Sequence, residues 1–401
     1  MFNWTLRGFS YSINYPSFPS PPSPLVSLVN MRNANPEFYL DEHYSLVIKD
    51  GLTMENLVPK DVAAMSHQHW LDFPPSHPFV ADFVGILFLL LSFVNIFGNG
   101  IVIYVFLKDA SLRRPSNMLI VNLAISDFFM LVTNGIPLTI NMFYSNYWIY
   151  GKLGCTIYAL GGGMTGLCSL LTLIFIGYDR YNLIVGGFST KPVTSLKALI
   201  FILFTWGYPV LMLIWPTLEI WGKFSLEGLL VSCSFEYLED TWNQKSYTLF
   251  IFIGNYIIPM CCIFYFYSFI VKAVWAHEAA MKAQAKKMNV NSLRNEADSG
   301  GEGAEMKIAK VALTNVLLWV CAWTPYALVV MIGQFGNRSL LTPLVSQIPS
   351  MLAKTCSCFN PIVYAISHPK FREALQNHLP GLGIGPVTVK TGDTKSSTTS
   401  A

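Results

Sequence analysis

Seven long apolar segments constrain the fold of this chain more than any other feature of its sequence. They cover Phe83–Leu107, Asn117–Phe143, Cys155–Tyr178, Ala198–Trp215, Tyr247–Val271, Val311–Phe335 and Leu340–Ile366. Each is near or above the ~18–20 residues that a helix needs to cross the hydrocarbon core of a bilayer. Hydrophobic residues make up 53% of the chain and charged residues only 12%, which is atypical of soluble domains. The sequence therefore predicts an all-α membrane protein, a seven-transmembrane helix bundle over residues 81–367.

Basic residues between the segments predict how the bundle is oriented. Of the 26 Lys and Arg, 17 fall in the connections 108–116, 179–197 and 272–310 and in the tail after 366, and 8 fall on the other side. The positive-inside rule then puts the N-terminus outside and the C-terminus in the cytosol of a multi-pass protein of the cell membrane. The first residues lack the apolar stretch of a cleavable signal peptide, so we expect the first segment to direct insertion. This topology accounts for the net charge of +3, which gives no indication of nucleic-acid binding.

The regions outside the bundle have simpler predictions. Residues 1–80 are rich in Pro, Ser and Asn and are expected to form a largely irregular extracellular tail. Good helix formers in WAHEAAMKAQAKKMNVNSLR favour continuation of the fifth helix into the cytosol. The sequence HPKFREALQNHL predicts a short amphipathic eighth helix on the membrane lipid surface, at 368–380. The polar residues 381–401 are expected to form a disordered cytoplasmic tail.

Cysteines and sequons agree with this orientation. Six of the eight cysteines lie in apolar segments, where they are most simply small packing residues. Cys155 and Cys233 lie at the outward edge, where an oxidising compartment allows a disulfide. The sequons Asn3-Trp4-Thr5 and Asn337-Arg338-Ser339 also lie on the outward side, so Asn3 and Asn337 are candidate glycosylation sites.

Two short runs resemble enzyme or nucleotide-binding motifs, but their sequence context argues against either function. The run GGGMTG at 161–166 fits the dinucleotide pattern, but it lies inside a transmembrane segment with no strand before it. Close helix packing through small residues is the favoured interpretation. The sequence HEAAM at 277–281 lacks the second histidine of zinc proteases. We therefore predict neither catalytic residues nor a metal site, and a protein that is not an enzyme.

An ordered set of landmarks, one for each segment, is the most specific signal in the chain. It comprises Asn99, Asp127 in LAISD, Asp179-Arg180-Tyr181, Trp206, Pro259, Trp323 in CAWTP, and Asn360-Pro361 with Tyr364 in NPIVY. Together with Cys155 and Cys233, this set resembles rhodopsin-class G-protein-coupled receptors over residues 80–375. The resemblance implies a disulfide between these cysteines and a heterotrimeric G protein as partner. It also implies a buried polar switch and a coupling site, at Asn99, Asp127, Asp179, Arg180, Tyr181, Asn360, Pro361 and Tyr364.

Lys354 is the basic residue that the apolar segments contain. It is fifteenth in the 27 residues of Leu340–Ile366, roughly 20 Å from either end at the helical rise and beyond the reach of its side chain. Snorkelling to the headgroups is therefore disfavoured. A structural ion pair with Asp127, the other charge in the segments, stays open as an alternative.

A functional interpretation follows from the chemistry of a desolvated amine. Burial favours the neutral, nucleophilic form of lysine, which condenses with an aldehyde to a Schiff base. A lysine six residues before the Asn-Pro of the seventh segment distinguishes opsins within the receptor class, and Lys354 stands six before Asn360. The chain thus resembles an opsin. This resemblance implies 11-cis retinal, or a 3-hydroxy derivative, bound covalently to Lys354.

The charge on a protonated Schiff base requires a buried partner. Where vertebrate visual opsins carry glutamate, three residues after the first cysteine, this chain has Tyr158. Glu227 stands six residues before Cys233, which matches the counterion position of invertebrate opsins. We therefore expect Glu227 as counterion with Tyr158 as a polar neighbour, and Trp323 and Tyr326 beside the chromophore. Glu227 as a solvated loop carboxylate is the alternative.

A closer resemblance is to arthropod rhabdomeric opsins, carried by HEAAMKAQAKKMNVNSLR, WTPYALV and AKTCSCFNPIVYAISHPKFR. It implies coupling to a Gq-type G protein, arrestin and receptor kinase acting on the C-terminal tail, and phototransduction in photoreceptor microvillar membrane. Asn134 replaces the lysine of insect ultraviolet opsins, which favours visible, blue absorption.

Four other functions account for parts of the sequence. A nonvisual opsin stays open, because GGGMTG and SCSFEY depart from the commonest insect visual sequences. A retinal photoisomerase is disfavoured because it does not need the Asp179-Arg180-Tyr181 motif or a long basic third loop. A receptor for a diffusible ligand leaves Lys354 unexplained, and a microbial-type retinal pump leaves the ordered landmarks unexplained.

Overall fold

The computed structural model describes residues 52–186, 191–288 and 304–383, together with four short strands nearer the N-terminus. These strands form two antiparallel hairpins, β1 (Phe2–Leu6) with β2 (Phe9–Ile13) and β3 (Phe38–Leu40) with β4 (Leu46–Ile48). The predicted disordered tail over 381–401 falls outside the described residues, apart from its first three positions.

Three short helices precede the bundle, where we expected a largely irregular tail. They are α1 (Met54–Leu57), α2 (Lys60–Ala64) and α3 (Gln68–Leu71). Val62 and Trp70 are each 1% exposed and belong to an apolar cluster at one end of the bundle. The difference from our expectation has a simple cause, because burying these side chains stabilises helices too short to form alone.

Seven spans follow, and the structure confirms the predicted seven-helix architecture. The first six are α4 (Pro78–Lys108), α5 (Asn117–Thr133) with α6 (Gly135–Tyr144), α7 (Gly151–Ile184), α8 (Ser195–Thr217), α9 (Trp242–Phe252) with a π-turn and α10 (Ile258–Met288), and α11 (Ala304–Phe335). Within the described residues, these six are long and apolar enough to cross a membrane. The fifth span continues to Met288, as its helix-forming sequence predicts.

The seventh span is not one continuous helix. It runs as α12 (Pro343–Thr355), a 3-10 turn (Cys356–Cys358) and α13 (Phe359–Ser367). Thr342 begins it by accepting a hydrogen bond from the backbone of Val345, with Pro343 in the first turn, where its missing N–H costs nothing. The 3-10 turn follows directly after the helix that carries Lys354.

A β-hairpin closes one end of the bundle, which we call the hairpin end. Strand β5 (Phe224–Glu227) pairs antiparallel with β6 (Ser232–Phe235), and Glu227 lies opposite Ser232. A disulfide joins Cys233 in β6 to Cys155 in the third span. The backbone of Leu226 also donates a hydrogen bond to Met65 (3.0 Å), so α1–α3 lie against the outer side of this hairpin.

The opposite end, which we call the Arg180 end, carries the eighth helix. Helix α14 (Pro369–His378) buries Phe371, Ala374 and Leu375 against the bundle, which confirms its amphipathic character. His378 Nε2 lies 3.3 Å from the carboxylate of Asp109, between the first and second spans.

Three buried apolar clusters form the core. The largest occupies the Arg180 half, a second lies under the hairpin, and a third joins the first, second and seventh spans. Trp323 of the sixth span packs against all three. The core clusters therefore meet at one indole ring, near the middle of the bundle.

Candidate functional site

Lys354 lies on the inner face of α12 and is 9% exposed. Its Nζ atom donates one hydrogen bond, to Ser350 Oγ at 2.8 Å, and lies 5.8 Å from the centre of the Tyr158 ring. An ammonium group has three donors, so two of them find no acceptor among the described residues. This is a poor site for a permanently charged free amine.

A buried carboxylate lies beside this amine. Glu227 is 1% exposed, and its Oε1 atom lies 3.9 Å from Lys354 Nζ. The alternative of a solvated loop carboxylate is therefore wrong for this structure. The alternative pair between Lys354 and Asp127 is not formed either, because Asp127 bonds elsewhere.

Ser350 bridges the two charged groups. Its hydroxyl accepts the hydrogen bond from Lys354 and donates one to Glu227 Oε1 at 2.6 Å. Lys354 and Ser350 are four residues apart, which puts them on the same face of α12. The serine therefore links the amine to the carboxylate through one relayed hydrogen bond.

Tyrosine hydroxyls surround the second carboxylate oxygen. Tyr326 and Tyr237 donate to Glu227 Oε2 at 3.2 and 3.4 Å. Tyr326 is also hydrogen-bonded to Ser234 of β6 at 2.5 Å. Tyr158 is almost fully buried, with its ring against that of Trp148 and close to Lys354. Both oxygens of the buried carboxylate thus accept hydrogen bonds from side-chain hydroxyls.

An apolar cavity extends from the lysine into the bundle. One part, of about 90 Å³, is lined by Lys354, Ser350 and Asn134, and an adjoining part, of about 140 Å³, reaches Tyr256 in the fifth span. The two parts share Trp323 as a lining residue. The cavity is therefore elongated, with the amine at one end and aromatic walls along its length.

Glycines of the GGGMTG run explain how the cavity passes the third span. A Cβ atom on Gly161 would lie 2.7 Å from the Thr133 side chain, in agreement with the predicted close helix packing. Gly163 and Gly166 instead line the cavity, and a Cβ on Gly166 would lie 3.0 Å from the Trp323 ring. The run thus serves both helix packing and the cavity, and sequence reasoning predicted only the first role.

Trp323 has a specific partner in the seventh span. Its indole N–H donates to Cys356 Sγ at 3.2 Å, in the 3-10 turn two residues after Lys354. Trp323 also stacks on Trp319, one turn earlier in the sixth span. The side chain therefore contacts the cavity on one side and the lysine-bearing span on the other.

The predicted polar switch residues come together only in part. Asp127 accepts hydrogen bonds from Ser169 (2.6 Å) and from Asn360. Asn99 donates to the backbone oxygen of Ser357 (3.0 Å), which brings the first span to the same turn of the seventh.

Pro361 and Tyr364 lie further along the seventh span. Pro361 packs beside Gly98 of the first span, where a Cβ atom would lie 3.0 Å away. Tyr364 contacts the rings of Phe106 and Phe371, so it links the bundle to the eighth helix rather than to Asp127.

The Arg180 end holds the third predicted group. Asp179 and Arg180 form a buried ion pair between neighbouring side chains. Tyr181 lies against the rings of Tyr265 and Phe269 in the fifth span. This end is therefore closed around the arginine in the structure.

The two candidate glycosylation residues have different settings. Asn337 begins a 3-10 turn at the hairpin end and accepts hydrogen bonds from Ser339 through its side-chain oxygen. Asn3 lies in β1.

Ser350 and Gln347 were missed by sequence reasoning. With Lys354 they lie at offsets of four and seven residues, a helical repeat of polar positions visible in SQIPSMLAK. That stripe in an apolar segment was an available signal, but its partners are on a hairpin whose position the stripe does not reveal.

Comparisons with known proteins agree with this geometry. A profile of the 7 transmembrane receptor (rhodopsin family) matches residues 98–364. The compound eye opsin BCRH2 of Hemigrapsus sanguineus is 47% identical over 345 residues, which cover 86% of this chain and 91% of that protein. The ultraviolet-sensitive opsin of Apis mellifera is 43% identical over 327 residues, covering 82% and 87%. Among solved structures, squid rhodopsin has a TM-score of 0.70 and 39% identity, over 79% of this chain and 90% of that one.

Proposed function

The chain belongs to the rhodopsin family of seven-transmembrane receptors and, within it, to the opsins, and from this membership we propose that it holds retinal as a Schiff base on Lys354 and activates a Gq-type G protein. It is a light-sensing G-protein-coupled receptor of the membrane, not an enzyme. Opsin membership implies a retinal chromophore and a heterotrimeric G protein as partner.

The buried amine at the end of an elongated apolar cavity is the observation that carries the proposal. Lys354 Nζ has one hydrogen-bond acceptor and one carboxylate nearby, where a free ammonium needs more. Condensation of this amine with an aldehyde releases one water, and the protonated product keeps a single N–H to be satisfied. Bound in this way, retinal would supply light absorption and a change of shape on isomerisation. The long, narrow cavity suits a polyene chain better than it suits a compact polar ligand.

Glu227 is the proposed counterion. Its carboxylate is buried, lies 3.9 Å from Nζ and accepts hydrogen bonds from Ser350, Tyr326 and Tyr237. A buried carboxylate held by these donors would stabilise a cation on the lysine nitrogen. The ring of Tyr158 lies 5.8 Å from the same nitrogen and is the proposed polar neighbour.

Signal transfer is proposed to begin at Trp323. This residue lines the cavity and bonds to Cys356, so a change in chromophore shape would press on the sixth span and on the seventh together. The Asp127–Asn360 bond and the Asp179–Arg180 pair lie beyond it, towards the opposite end. Opening of that end would release Arg180 to receive the G protein, with the cytoplasmic extension of the fifth span beside it.

Orientation and remaining partners are proposed on the same basis. The hairpin end would be extracellular, where the disulfide is stable, and Asn337 and Asn3 on that side of the membrane would be the glycosylation sites. The Arg180 end would face the cytosol of a photoreceptor microvillus. Arrestin and a receptor kinase would act on residues 381–401.

The chromophore would be 11-cis retinal or its 3-hydroxy derivative, absorbing visible light. Asn134 lies in the cavity wall next to Lys354, so the residue that replaces the lysine of insect ultraviolet opsins faces the site itself. Unlike a lysine, a neutral amide at this position adds no second positive charge that would repel the protonated Schiff base. A nonvisual role for the same photochemistry remains the second candidate.

Reconstitution tests the attachment site. The protein is expressed with 11-cis retinal, and absorbance spectra are recorded in darkness and after illumination. We expect a visible pigment in the wild type and none in Lys354→Ala. Lys152→Ala is the matched control, because Lys152 lies at the hairpin end and is 73% exposed. Failure of the wild type to form a pigment, or a covalent pigment in Lys354→Ala, would overturn the proposal.

Counterion and coupling have separate tests. In Glu227→Gln the visible form should lose its proton at lower pH than in the wild type, whereas Glu219→Gln, at an exposed position paired with Lys152, should not change it. Light-dependent nucleotide exchange on purified Gq and Gi trimers tests the partner. Exchange on Gi alone would exclude the Gq assignment and leave the pigment chemistry intact.

A further inference from the structure

Building on the proposed function, we propose that Gln347 is a positioning residue that fastens the Glu227 hairpin to the lysine-bearing seventh span, so that carboxylate and amine stay together when the sixth span moves. Gln347 is fully buried and lies on α12, two helical turns before Lys354. It does not touch Lys354, so its effect is transmitted through the hairpin.

Gln347 makes hydrogen bonds within the turn between β5 and β6 and to the first residue of β6. Its side-chain oxygen accepts from the backbone N–H of Leu229 at 3.3 Å. Its amide nitrogen donates to Ser232 Oγ at 3.0 Å. Ser232 pairs with Glu227 across the hairpin, and its hydroxyl lies 3.5 Å from Glu227 Oε1. One side chain thus fixes the turn that follows the counterion and the β6 residue that pairs with it.

The turn is shaped to accept this side chain. Gly228 and Leu230 both have positive φ, 56° and 60°, which is costly for leucine and therefore needs support from the surroundings. A Cβ atom at Gly228 would lie 2.9 Å from the Pro343 backbone oxygen and 3.0 Å from Gln347 Oε1. Without Gln347, the buried N–H of Leu229 would lose its acceptor.

Besides the disulfide to the third span and a hydrogen bond from Asn141 of the second span to the Val231 backbone, contacts from the sixth and seventh spans hold the hairpin. Tyr326 of the sixth span bonds to Glu227 and to Ser234. Gln347 and Ser350 hold it from the seventh, about 10 Å and 6 Å from Lys354 along the helix axis. If the sixth span moves on illumination, the Tyr326 contacts are strained. The seventh-span contacts, together with the Cys155–Cys233 disulfide, then keep Glu227 beside the lysine and the photoproduct protonated.

The test is a pH titration of the visible form before and after illumination, in the wild type and in Gln347→Met. Methionine keeps the length of the side chain and removes both hydrogen bonds. In the photoproduct of Gln347→Met, we expect the Schiff base to lose its proton at a pH about one unit or more below that of the wild-type photoproduct. One pH unit corresponds to a tenfold weakening of proton binding. The dark pigment should change less, because Tyr326 still holds Glu227.

Gln334→Met is the matched control. Gln334 is also buried at the hairpin end, and it ties the loop at Glu239 to the sixth span through a 2.9 Å bond without contacting Glu227. Its substitution should lower thermal stability and leave both titrations unchanged. An equal shift in both glutamine variants, or no shift in Gln347→Met, would overturn the inference.

Milder variants keep the proposal testable if Gln347→Met forms no pigment. Gln347→Asn withdraws the amide from the turn, and Ser232→Ala removes one of its partners. Both should move the photoproduct titration in the same direction by a smaller amount, and unchanged titrations in both would refute the role. A wild type that forms no pigment contradicts the proposed function instead.

Discussion

The hydroxyl of Ser350 lies between the two charged groups of the site. Its oxygen faces Lys354 Nζ and its proton is directed to Glu227. Hydrogen bonds to charged groups contribute about 1.5–3 kcal/mol, roughly twice the contribution of neutral ones. Removal of this one hydroxyl group should therefore shift the absorbance maximum of the pigment.

We predict that the Ser350→Ala pigment absorbs at longer wavelength than the wild type. Its electronic transition energy should be lower by roughly 1–2 kcal/mol. The hydroxyl oxygen stabilises positive charge on the nitrogen in the dark state, and excitation moves that charge away. Absorbance spectra of the purified pigments measure the shift. Ser357→Ala is the control, since Ser357 is equally buried on the same span but bonds to Asn95 and to the backbone of Lys354. An unshifted spectrum in Ser350→Ala would contradict this prediction.

Sequence reasoning reached some of these residues and not others, for physical reasons. Lys354 was predictable because a charge deep in an apolar segment is costly and needs a purpose. Glu227 was reached through its offset from Cys233 in related opsins, since loop carboxylates are usually solvated. Ser350 and Gln347 were not predicted, because serine and glutamine occur in many roles. Their role here becomes clear only when their partners on the hairpin are known.

At the scale of elements, α1–α3 form a cap on the hairpin end. Trp70 of α3 packs against the ring of Tyr237, which itself bonds to Glu227. His67 begins α3 by accepting a hydrogen bond from the backbone N–H of His69 on its Nδ1 atom (3.1 Å). That contact requires an unprotonated Nδ1, so the cap is coupled to pH.

We predict that the cap becomes less stable as pH falls below about 6.5, the ordinary pKa of a histidine side chain. Burial lowers the pKa of His67, an effect that nearby Glu236 opposes and that Arg338, His69 and Lys223 reinforce. The folded cap therefore binds the proton less well than the unfolded segment, and its stability is present above this pH and lost below it. Hydrogen exchange of residues 54–71 at pH 5 and pH 7.5 measures the effect.

Asparagine provides the control for this histidine. His67→Asn keeps an acceptor for the start of α3 and does not titrate. Exchange in that variant should be nearly independent of pH over the same range. Equal pH dependence in both proteins would assign the effect to another group.

Elements differed in how far the sequence predicted them. The seven spans were predictable because hydrophobic length alone defines them. Breaks within the second and seventh spans were not, since residues such as Asn134 and Cys356 are tolerated in continuous helices too. The cap was missed because helices of four or five residues are too short to show a periodic pattern, and their stability comes from packing.

For the molecule as a whole, the disulfide fixes how the hairpin sits over the bundle. Cys155 and Cys233 are 78 residues apart in the chain, and the bond joins the third span to β6 next to Ser232. Closing a loop of this length stabilises a fold by about 4 kcal/mol in the chain-entropy account. This covalent tie at Cys233 complements the hydrogen bonds of Gln347 to Ser232, the preceding residue of β6, and to Leu229 in the turn.

We predict that Cys155→Ser combined with Cys233→Ser shortens the thermal lifetime of the dark pigment at least tenfold. Loss of the tie lets the hairpin leave the lysine and admits water to the site. The decay of visible absorbance with time at fixed temperature gives the lifetime. Cys261→Ser, at an exposed free cysteine of the fifth span, should behave as the wild type. A double variant with an unchanged lifetime would show that hydrogen bonds alone hold the hairpin.

Trp323 touches all three apolar clusters of the core. A random thermal fluctuation that displaced its indole would have to loosen three separately packed regions at the same moment, and interiors of this density resist such coincidences. If retinal isomerises against this ring, as we propose, we expect light to displace the indole and spontaneous displacement in the dark to be rare. On the proposed function, the meeting of three clusters at one side chain would therefore keep the dark noise of the receptor low, the property that limits the dimmest light it can report.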